Sequence, residues 1–300
     1  MQTRLTPSTA LLLTIPPLMW AGNAVVGRLV APLVPPMTFN LLRWLLAFAL
    51  LLPLTSGVLR PSSTLWPAWR RFTVLGLLSI GCYNALQYLA LRTSTAINAT
   101  LVAASMPVWM LLIGRLFFDA PISRRQLLGA CLSISGVLLV LSRGHPDTLW
   151  QVRLVPGDLY MLLAAMAWAY YSWMLTQPAR EPADIRGDWA AFLLAQMAFG
   201  LLWSALFAAG EWALTDSPLQ WGWPLACALL FVALGPALLA YRCWGAGVQR
   251  AGASLAGFFA NLTPLFTALL SSALLGELPQ AYHGLAFALI VGGIVVSSRR

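Results

Sequence analysis

The sequence has little charge, and the charge that it has is unevenly divided. It contains no lysine: all 18 basic residues are arginine, there are only 9 acidic residues, and charged residues make up 9% of the 300. Soluble domains carry about 25% charged residues. With 60% hydrophobic residues and a mean hydropathy of +0.78, this chain cannot cover its own surface in water. The composition excludes a soluble enzyme, a nucleic-acid-binding protein and a disordered chain, and it predicts a polytopic membrane protein.

Potential metal ligands are also scarce. The cysteines lie within apolar stretches, at Cys82, Cys131, Cys227 and Cys243. Only His145 and His283 could join them as metal ligands, so we expect neither a disulfide framework nor a metal site. No cofactor is expected.

Apolar runs between charges and Pro or Gly breaks predict an all-α integral membrane protein with ten transmembrane helices. A span needs about 20 apolar residues, so ten spans fit the chain and leave short loops. The predicted spans cover residues 9–30, 36–55, 72–91, 95–116, 125–142, 157–177, 188–210, 220–244, 253–275 and 281–298.

The arginines predict the orientation of these spans. With the N-terminus inside the cell, twelve arginines fall on the cytoplasmic side, and Arg28, Arg92, Arg143 and Arg153 fall on the other. Loops rich in Arg stay on the cytoplasmic side of a membrane, so we expect both termini to be cytoplasmic. Arg242 falls inside a span but close enough to its cytoplasmic end to extend to the interface.

The two halves of the chain repeat each other. An offset of 157 residues pairs Ala96 with Ala253, Pro107 with Pro264 and Gly136 with Gly293, and an offset of 148 pairs Trp20 with Trp168. We therefore divide the chain into residues 1–148 and 149–300, with five helices in each half. Because five is odd, the halves must have inverted topology, as in many secondary transporters.

These residues also resemble a known family. The sequence resembles the ten-helix, EamA-type branch of the drug/metabolite transporter superfamily. The residues that carry the resemblance are Trp20 to Asn23, Arg43, Ala96 to Val108, Gly129 to Val137, Gly157-Asp158, Trp168, Pro264 and Leu275 to Glu277. One departure is Phe118-Asp119-Ala120, where the first repeat lacks the Gly-Glu of the second. Within the branch the chain looks most like bacterial inner-membrane exporters of aromatic and other neutral amino acids.

Aromatic and amide side chains form the predicted substrate site. Tyr83 and Gln87 share one helical face, as do Trp168 and Tyr171. Aromatic walls and amide groups suit a small solute with one apolar and one polar end, although ordinary core packing or bonding between helices explains any single residue as well. The candidates for substrate binding are Trp20, Asn23, Tyr83, Gln87, Asn98, Trp168, Tyr171, Phe258 and Asn261.

Pro107 and Pro264 are the candidate hinges. Each removes a backbone donor near the middle of a predicted span, which predicts a kink that faces protein or a watery cavity. The alternative is that the kinks only shape packing. Small residues at four-residue spacing predict close packing of the fifth and tenth spans, at Gly129 and Ser133 and at Gly284, Ala288 and Gly292.

Acidic residues are absent from the centres of the predicted spans. A proton-driven transporter usually keeps a carboxylate or His relay inside the membrane. Only Glu277 and His283 are candidates, and we favour a loop position for both. We therefore expect transport without strong coupling to protons. Arg43, about two turns inside the second span, either binds backbone carbonyls or attracts a carboxylate, and the structural role is slightly favoured.

The sequence thus predicts a secondary transporter, not an enzyme, that exports small neutral solutes by alternating access as a monomer. An intramembrane protease needs a nucleophile with a base, or His-Glu spacing, and neither is present. A nucleotide-sugar or phosphate carrier should present several Lys or Arg to phosphate, which disfavours this alternative. A multidrug exporter and a carrier of other metabolites remain open.

Overall fold

The computed structural model describes residues 5–94, 96–151, 155–215, 219–275 and 280–298. Every regular element in these ranges is a helix, in agreement with the predicted all-α class. The α-helices are α1 (Pro7–Val30), α2 (Pro36–Thr55), α3 (Trp69–Gly76), α4 (Tyr83–Thr93), α5 (Ala96–Ala103), α6 (Met106–Phe117), α7 (Arg124–Leu141), α8 (Pro156–Met174), α9 (Ala183–Gly187), α10 (Trp189–Leu214), α11 (Trp223–Val232), α12 (Ala240–Ala251), α13 (Ala253–Ala260), α14 (Leu262–Leu275) and α15 (Ala281–Ser298).

Seven stretches of the described helices are long and apolar enough to cross a membrane. They are Pro7–Val30, Pro36–Leu59, Arg124–Leu141, Trp189–Leu214, Trp223–Ala251, Ala253–Leu270 and Ala281–Ser298. The architecture is that of a helical membrane protein. The count of ten spans stays a prediction.

Two predicted spans are interrupted near their middle. The fourth is divided between α5 and α6 at Ala104 and Ser105, and the ninth is divided between α13 and α14 at Asn261. Pro107 and Pro264 lie in the first turn of α6 and of α14, where a missing N–H leaves no helical bond unmade. The two prolines therefore begin new helices, whereas the sequence suggested kinks in continuous ones.

Two other helices contain a π-helical turn. Leu77–Cys82 joins α3 to α4, and Ala233–Leu239 joins α11 to α12. Residues 77–82 and 234–239 are again 157 apart, the spacing that relates Pro107 to Pro264. In the second turn Pro236 cannot donate a helical hydrogen bond, which favours the wider turn. Such turns release carbonyl oxygens from regular bonding and occur often at functional sites.

Helices α7 and α15 pack closely, as the sequence predicted for the fifth and tenth spans. An added Cβ on Gly129 would lie 2.6 Å from the carbonyl oxygen of Gly293, and one on Gly136 would lie 2.8 Å from that of Ala286. The early residue of α7 thus meets the late residue of α15, and the reverse, so the helices are antiparallel. Small residues allow this close approach of the two backbones.

The predicted contact stripe on the tenth span is wrong, however. Gly284 and Ala288 are exposed, and an added Cβ on Gly284 or Gly292 would meet no described atom within 4 Å. The contact face instead carries Ala286 and Gly293. Four-residue spacing identified small residues, but it did not indicate which face of the helix meets a partner.

Helix α10 holds the start of α2 through a buried carboxylate. Glu211 Oε1 accepts a hydrogen bond from the backbone N–H of Met37 at 3.1 Å, and Oε2 accepts one from that of Thr38 at 2.9 Å. The Thr38 hydroxyl donates to Oε2 at 3.0 Å. A carboxylate is stabilised at a helix N-terminus by the unpaired N–H groups and the helix dipole. Because α10 extends to Leu214, Glu211 lies inside the helix, beyond the predicted end of the span.

A second buried carboxylate lies in the segment between α8 and α9 and joins it to α3. Glu181, between α8 and α9, pairs with Arg71 at 2.7 Å and with Arg186 at 3.7 Å. Both arginines also donate to carbonyl oxygens at the end of α8, Arg71 to Met174 at 2.8 Å and Arg186 to Leu175 at 2.6 Å. This cluster ties the start of α3 to the end of α8.

Candidate functional site

Aromatic rings from three long helices surround Trp168. Its ring centroid lies 5.2 Å from that of Trp20 on α1, 5.3 Å from that of Tyr83 on α4 and 5.1 Å from that of Tyr171 on α8. Two rings of α12 complete the set, Tyr241 at 5.5 Å and Trp244 at 5.7 Å. We call these six residues the aromatic cluster. Trp168 is 3% exposed and contacts all of the other rings.

Within the aromatic cluster Trp168 meets two rings edge to face and the other three at tilts of 57°, 45° and 45°. Trp20 meets Trp168 edge to face at 88°, and Tyr241 meets it at 81°. Such pairs contribute about 0.5–1.5 kcal/mol each beyond the burial of apolar area. The rings pack on one another, so a bound solute must enter by replacing some of these contacts with its own.

Neighbouring helices accept the polar ends of the two rings of α12. The Tyr241 hydroxyl donates to the carbonyl of Ser79 at 3.0 Å, within the first π-helical turn. The indole N–H of Trp244 donates to Ser172 Oγ at 3.1 Å, and that hydroxyl donates to the carbonyl of Trp168 at 2.8 Å. These bonds satisfy buried polar groups where no water is available, and they hold the rings in fixed orientations.

A buried arginine lies beside the aromatic cluster. Arg43 on α2 is 3% exposed. It donates to Asn40 Oδ1 at 2.6 Å and to Asn23 Oδ1 at 3.3 Å, and its guanidinium lies 5.2 Å from the ring centroid of Trp44. The Trp44 ring in turn contacts Tyr241 at 4.9 Å. Asn23 is one helical turn beyond Trp20 on α1. Of the three neighbours of the guanidinium, Asn23 and Trp44 therefore lie next to residues of the aromatic cluster.

The interrupted helices meet at a separate junction. Asn261 Nδ2 donates to the carbonyl of Ala104 at 3.2 Å and to Ser133 Oγ at 3.0 Å. Ala104 and Asn261 are themselves 157 residues apart, so each lies at the interruption of its own helix. Asn261 is 2% exposed and links α13, α5 and α7.

The sequence profile of the EamA-like transporter family matches residues 7–142 and again residues 155–299. The chain belongs to this family. The resemblance stated from the motifs is confirmed.

Several curated relatives of this EamA-like transporter are themselves named as transporters. An uncharacterized transporter of Archaeoglobus fulgidus is 25% identical over 97% of this chain and 98% of its own length. The aromatic amino acid exporter YddG of Ancylobacter novellus is 26% identical over 78% of this chain and 76% of its own. A solved crystal structure covers 97% of each chain with a TM-score of 0.75 and 22% identity, which supports the fold alone.

The predicted site residues of this EamA-like transporter fall into two groups. Trp20, Tyr83, Trp168 and Tyr171 meet in the aromatic cluster, Asn23 contacts Arg43 beside it, and Gln87 lies half-buried on α4 one turn beyond Tyr83. Phe258 and Asn261 lie at the junction end of α13, where both are buried. Asn98 belongs to α5, but its side chain lies outside the described residues, as does Glu277.

Sequence reasoning missed Tyr241 and Trp244. The repeat could have found them, because they lie 157 residues after Asn84 and Gln87, two polar residues inside the predicted third span, of which Gln87 is a substrate-binding candidate. His283 also differs from its expected loop position. It lies in the first turn of α15, where its Nδ1 accepts a hydrogen bond from the backbone N–H of Gln280 at 3.0 Å.

Proposed function

We propose that this protein exports small neutral solutes, above all aromatic amino acids, across the bacterial inner membrane by alternating access. The observation that carries this proposal is the aromatic cluster, in which Trp168 contacts five other rings. A flat apolar side chain of a solute can replace any of these ring contacts at similar energy. The printed names of two relatives fit this substrate class: the YddG exporter and a probable amino-acid metabolite efflux pump of Salmonella typhimurium, 26% identical over 66% of this chain.

The proposal includes ten membrane spans in two inverted halves, residues 1–148 and 149–300. Four features separated by 157 residues support it: the π-helical turns, the interruptions at Ala104 and Asn261, the prolines that follow them, and the glycines of α7 and α15. The α7–α15 contacts are reciprocal. Gly129 meets Gly293 and Gly136 meets Ala286, and each residue of the first pair is equivalent to one residue of the second. A two-fold axis in the membrane plane produces this pattern.

The proposed orientation has both termini in the cytoplasm, from the distribution of arginines. The Glu181 cluster then lies on the cytoplasmic side and the contact of Glu211 with α2 lies on the outer side. Each ties helices of the two proposed halves together, so the aromatic cluster lies between an inner and an outer contact. Alternating access then requires that each contact opens in at least one conformation of the transport cycle. A monomer contains both halves and needs no partner copy.

Flux in proteoliposomes tests the proposal. Proteoliposomes that contain the full chain and are loaded with L-phenylalanine should exchange it for labelled L-tryptophan supplied outside. Because a Trp168→Ala protein loses five ring contacts, its kcat/KM should fall by about tenfold or more, and Trp168→Phe should retain part of the activity. Trp150→Ala is the matched control, since Trp150 is 88% exposed.

Competitors separate the alternatives within transporters. Unlabelled phenylalanine, tyrosine and leucine should inhibit the exchange, whereas a nucleotide sugar and a cationic dye should not. Exchange of the nucleotide sugar or the dye, with no exchange of amino acids, would replace this proposal by the corresponding alternative. Full exchange by a well-folded Trp168→Ala protein would remove the aromatic cluster as the site.

A further inference from the structure

The buried guanidinium of Arg43 is the strongest electrostatic feature next to the aromatic cluster. Its side chain lies in the apolar interior, 3% exposed, where a charge is strongly desolvated. Two amide oxygens hold it, from Asn40 on the same helix and from Asn23 on α1. A positive charge in such surroundings attracts an anionic group far more strongly than it would in water.

The hydrogen bonds of Arg43 to Asn40 and Asn23 differ in length. The bond to Asn40 Oδ1, at 2.6 Å, is shorter than the range of about 2.7–3.2 Å usual for N–H···O hydrogen bonds. The contact with Asn23 Oδ1, at 3.3 Å, is longer than that range. A carboxylate oxygen that replaced Asn23 would exchange a long contact with a neutral oxygen for a short one with an anion.

Asn40, the second amide that contacts Arg43, is itself held by hydrogen bonds. Asn40 Nδ2 donates to Ser204 Oγ on α10 at 2.9 Å and to the carbonyl of Ile80 at 3.5 Å. Ile80 belongs to the same π-helical turn that accepts the Tyr241 hydroxyl. These bonds orient Asn40 so that its oxygen faces the guanidinium, and the guanidinium therefore keeps one position relative to the aromatic rings.

The guanidinium of Arg43 lies next to the aromatic cluster. Asn23 is one turn of α1 from Trp20, and Trp44, under the guanidinium, contacts Tyr241. An amino acid carries its carboxylate a few bonds from its side chain. If the ring of the substrate lies among the rings of the aromatic cluster, its carboxylate is therefore within reach of the Arg43 guanidinium.

We propose that Arg43 is the specificity-determining residue that binds the carboxylate of an aromatic substrate, with Asn23 as the contact that the carboxylate displaces. The substrates are then aromatic solutes with a free carboxylate. Solutes of similar shape whose carboxylate is amidated or missing are excluded. This inference rests on the proposed function for its substrate class.

Ligand binding to the purified full chain tests this assignment. The probes are L-phenylalanine, phenylacetate and L-phenylalanine amide, titrated by calorimetry in lipid nanodiscs. Wild-type protein should bind both carboxylates more tightly than the amide, by about tenfold or more, because hydrogen bonds to charged groups contribute about 1.5–3 kcal/mol. Arg43→Gln should abolish that ratio, and Arg43→Lys should retain part of it, since lysine keeps the charge and loses the planar fork.

Asn23→Asp provides a second test that keeps the guanidinium in place. The new carboxylate has the size of the amide and pairs with Arg43, so it competes with the substrate and should also abolish the preference. Arg242→Gln is the matched control, because the Arg242 side chain is exposed and lies 4.5 Å over the Trp189 ring, so its loss should leave the ratio unchanged.

The results separate this inference from the proposed function. A wild type that binds the amide as tightly as the acid, or an Asn23→Asp or Arg43→Gln protein that keeps the full preference, overturns the role of Arg43, even if phenylalanine flux is normal. A carboxylate preference that depends on Arg43, in a protein that transports no aromatic amino acid, supports the site and removes the proposed function.

Discussion

Three buried polar side chains of this protein donate to irregular backbone. Tyr241 and Asn40 donate to carbonyls of the first π-helical turn, and Asn261 donates to the carbonyl of Ala104 at a helix interruption. An unpaired carbonyl in a bilayer costs several kcal/mol, so irregular turns need such donors. Of these three donors, only Asn261 was a candidate from the sequence.

At this scale the Glu181 cluster carries a clear prediction. Burial lowers the pKa of the Arg186 guanidinium, and the Glu181 carboxylate opposes that shift. Glu181→Gln keeps the shape of the side chain but leaves Arg71 and Arg186 with their charges close together. Removing one partner of a buried ion pair costs about 3–5 kcal/mol, so the variant should unfold at a clearly lower temperature or detergent concentration.

Asp184→Asn is the control for that variant. Asp184 accepts bonds from the Thr64 hydroxyl at 2.8 and 3.0 Å, but both residues are exposed, so its loss should change the free energy of unfolding by less than about 1 kcal/mol. Equal stability of the Glu181→Gln protein and the wild type in the same assay would contradict the structural role of the cluster.

At the scale of helices, the sequence predicted where helices lie better than where they are interrupted. The apolar run at residues 281–298 predicted both end residues of α15, because hydropathy decides where a helix can cross lipid. The interruptions at Ala104 and Asn261 were not predicted, since proline at the first turn of a new helix and proline in a kink have the same sequence signal. Tyr241 was missed for another reason: its role depends on which face of α12 meets Trp168.

Helix packing provides the prediction at this scale. A Cβ on Gly293 would lie 2.6 Å from the carbonyl oxygen of Gly129 and 3.0 Å from the backbone nitrogen of Ser133, and backbone atoms cannot move aside singly. Gly293→Val should therefore force α7 and α15 apart and cost about 1–3 kcal/mol in the free energy of unfolding.

The adjacent glycine is the matched control. An added Cβ on Gly292 would meet no described atom within 4 Å, so Gly292→Val should leave stability nearly unchanged. Thermal unfolding in one detergent compares the two variants directly. Equal effects of the two substitutions would mean that α7 and α15 do not pack as described.

For the whole molecule, the carboxylates decide how transport can be driven. Among the described residues, the carboxylates of Asp158, Glu181 and Glu211 are buried, and each is held by fixed partners: the Ser94 hydroxyl and the Val155 backbone N–H for Asp158, arginines for Glu181, and the N-terminus of α2 for Glu211. Asp158 lies in the first turn of α8, Glu181 follows the end of α8, and Glu211 lies in the last turn of α10, whereas Trp168 lies well inside α8. A proton relay would instead place a carboxylate that changes its charge near the substrate.

We therefore expect that a pH gradient alone does not drive accumulation of aromatic amino acids by this protein. Proteoliposomes with an imposed pH gradient, and with the membrane potential clamped by potassium and valinomycin, should equilibrate labelled phenylalanine to equal concentrations inside and outside. Accumulation above the external concentration would contradict this expectation. Glu211→Gln would then identify the residue: if the accumulation disappears while exchange between equal concentrations continues, Glu211 carries the proton, and its bond to α2 is the contact that opens when it does.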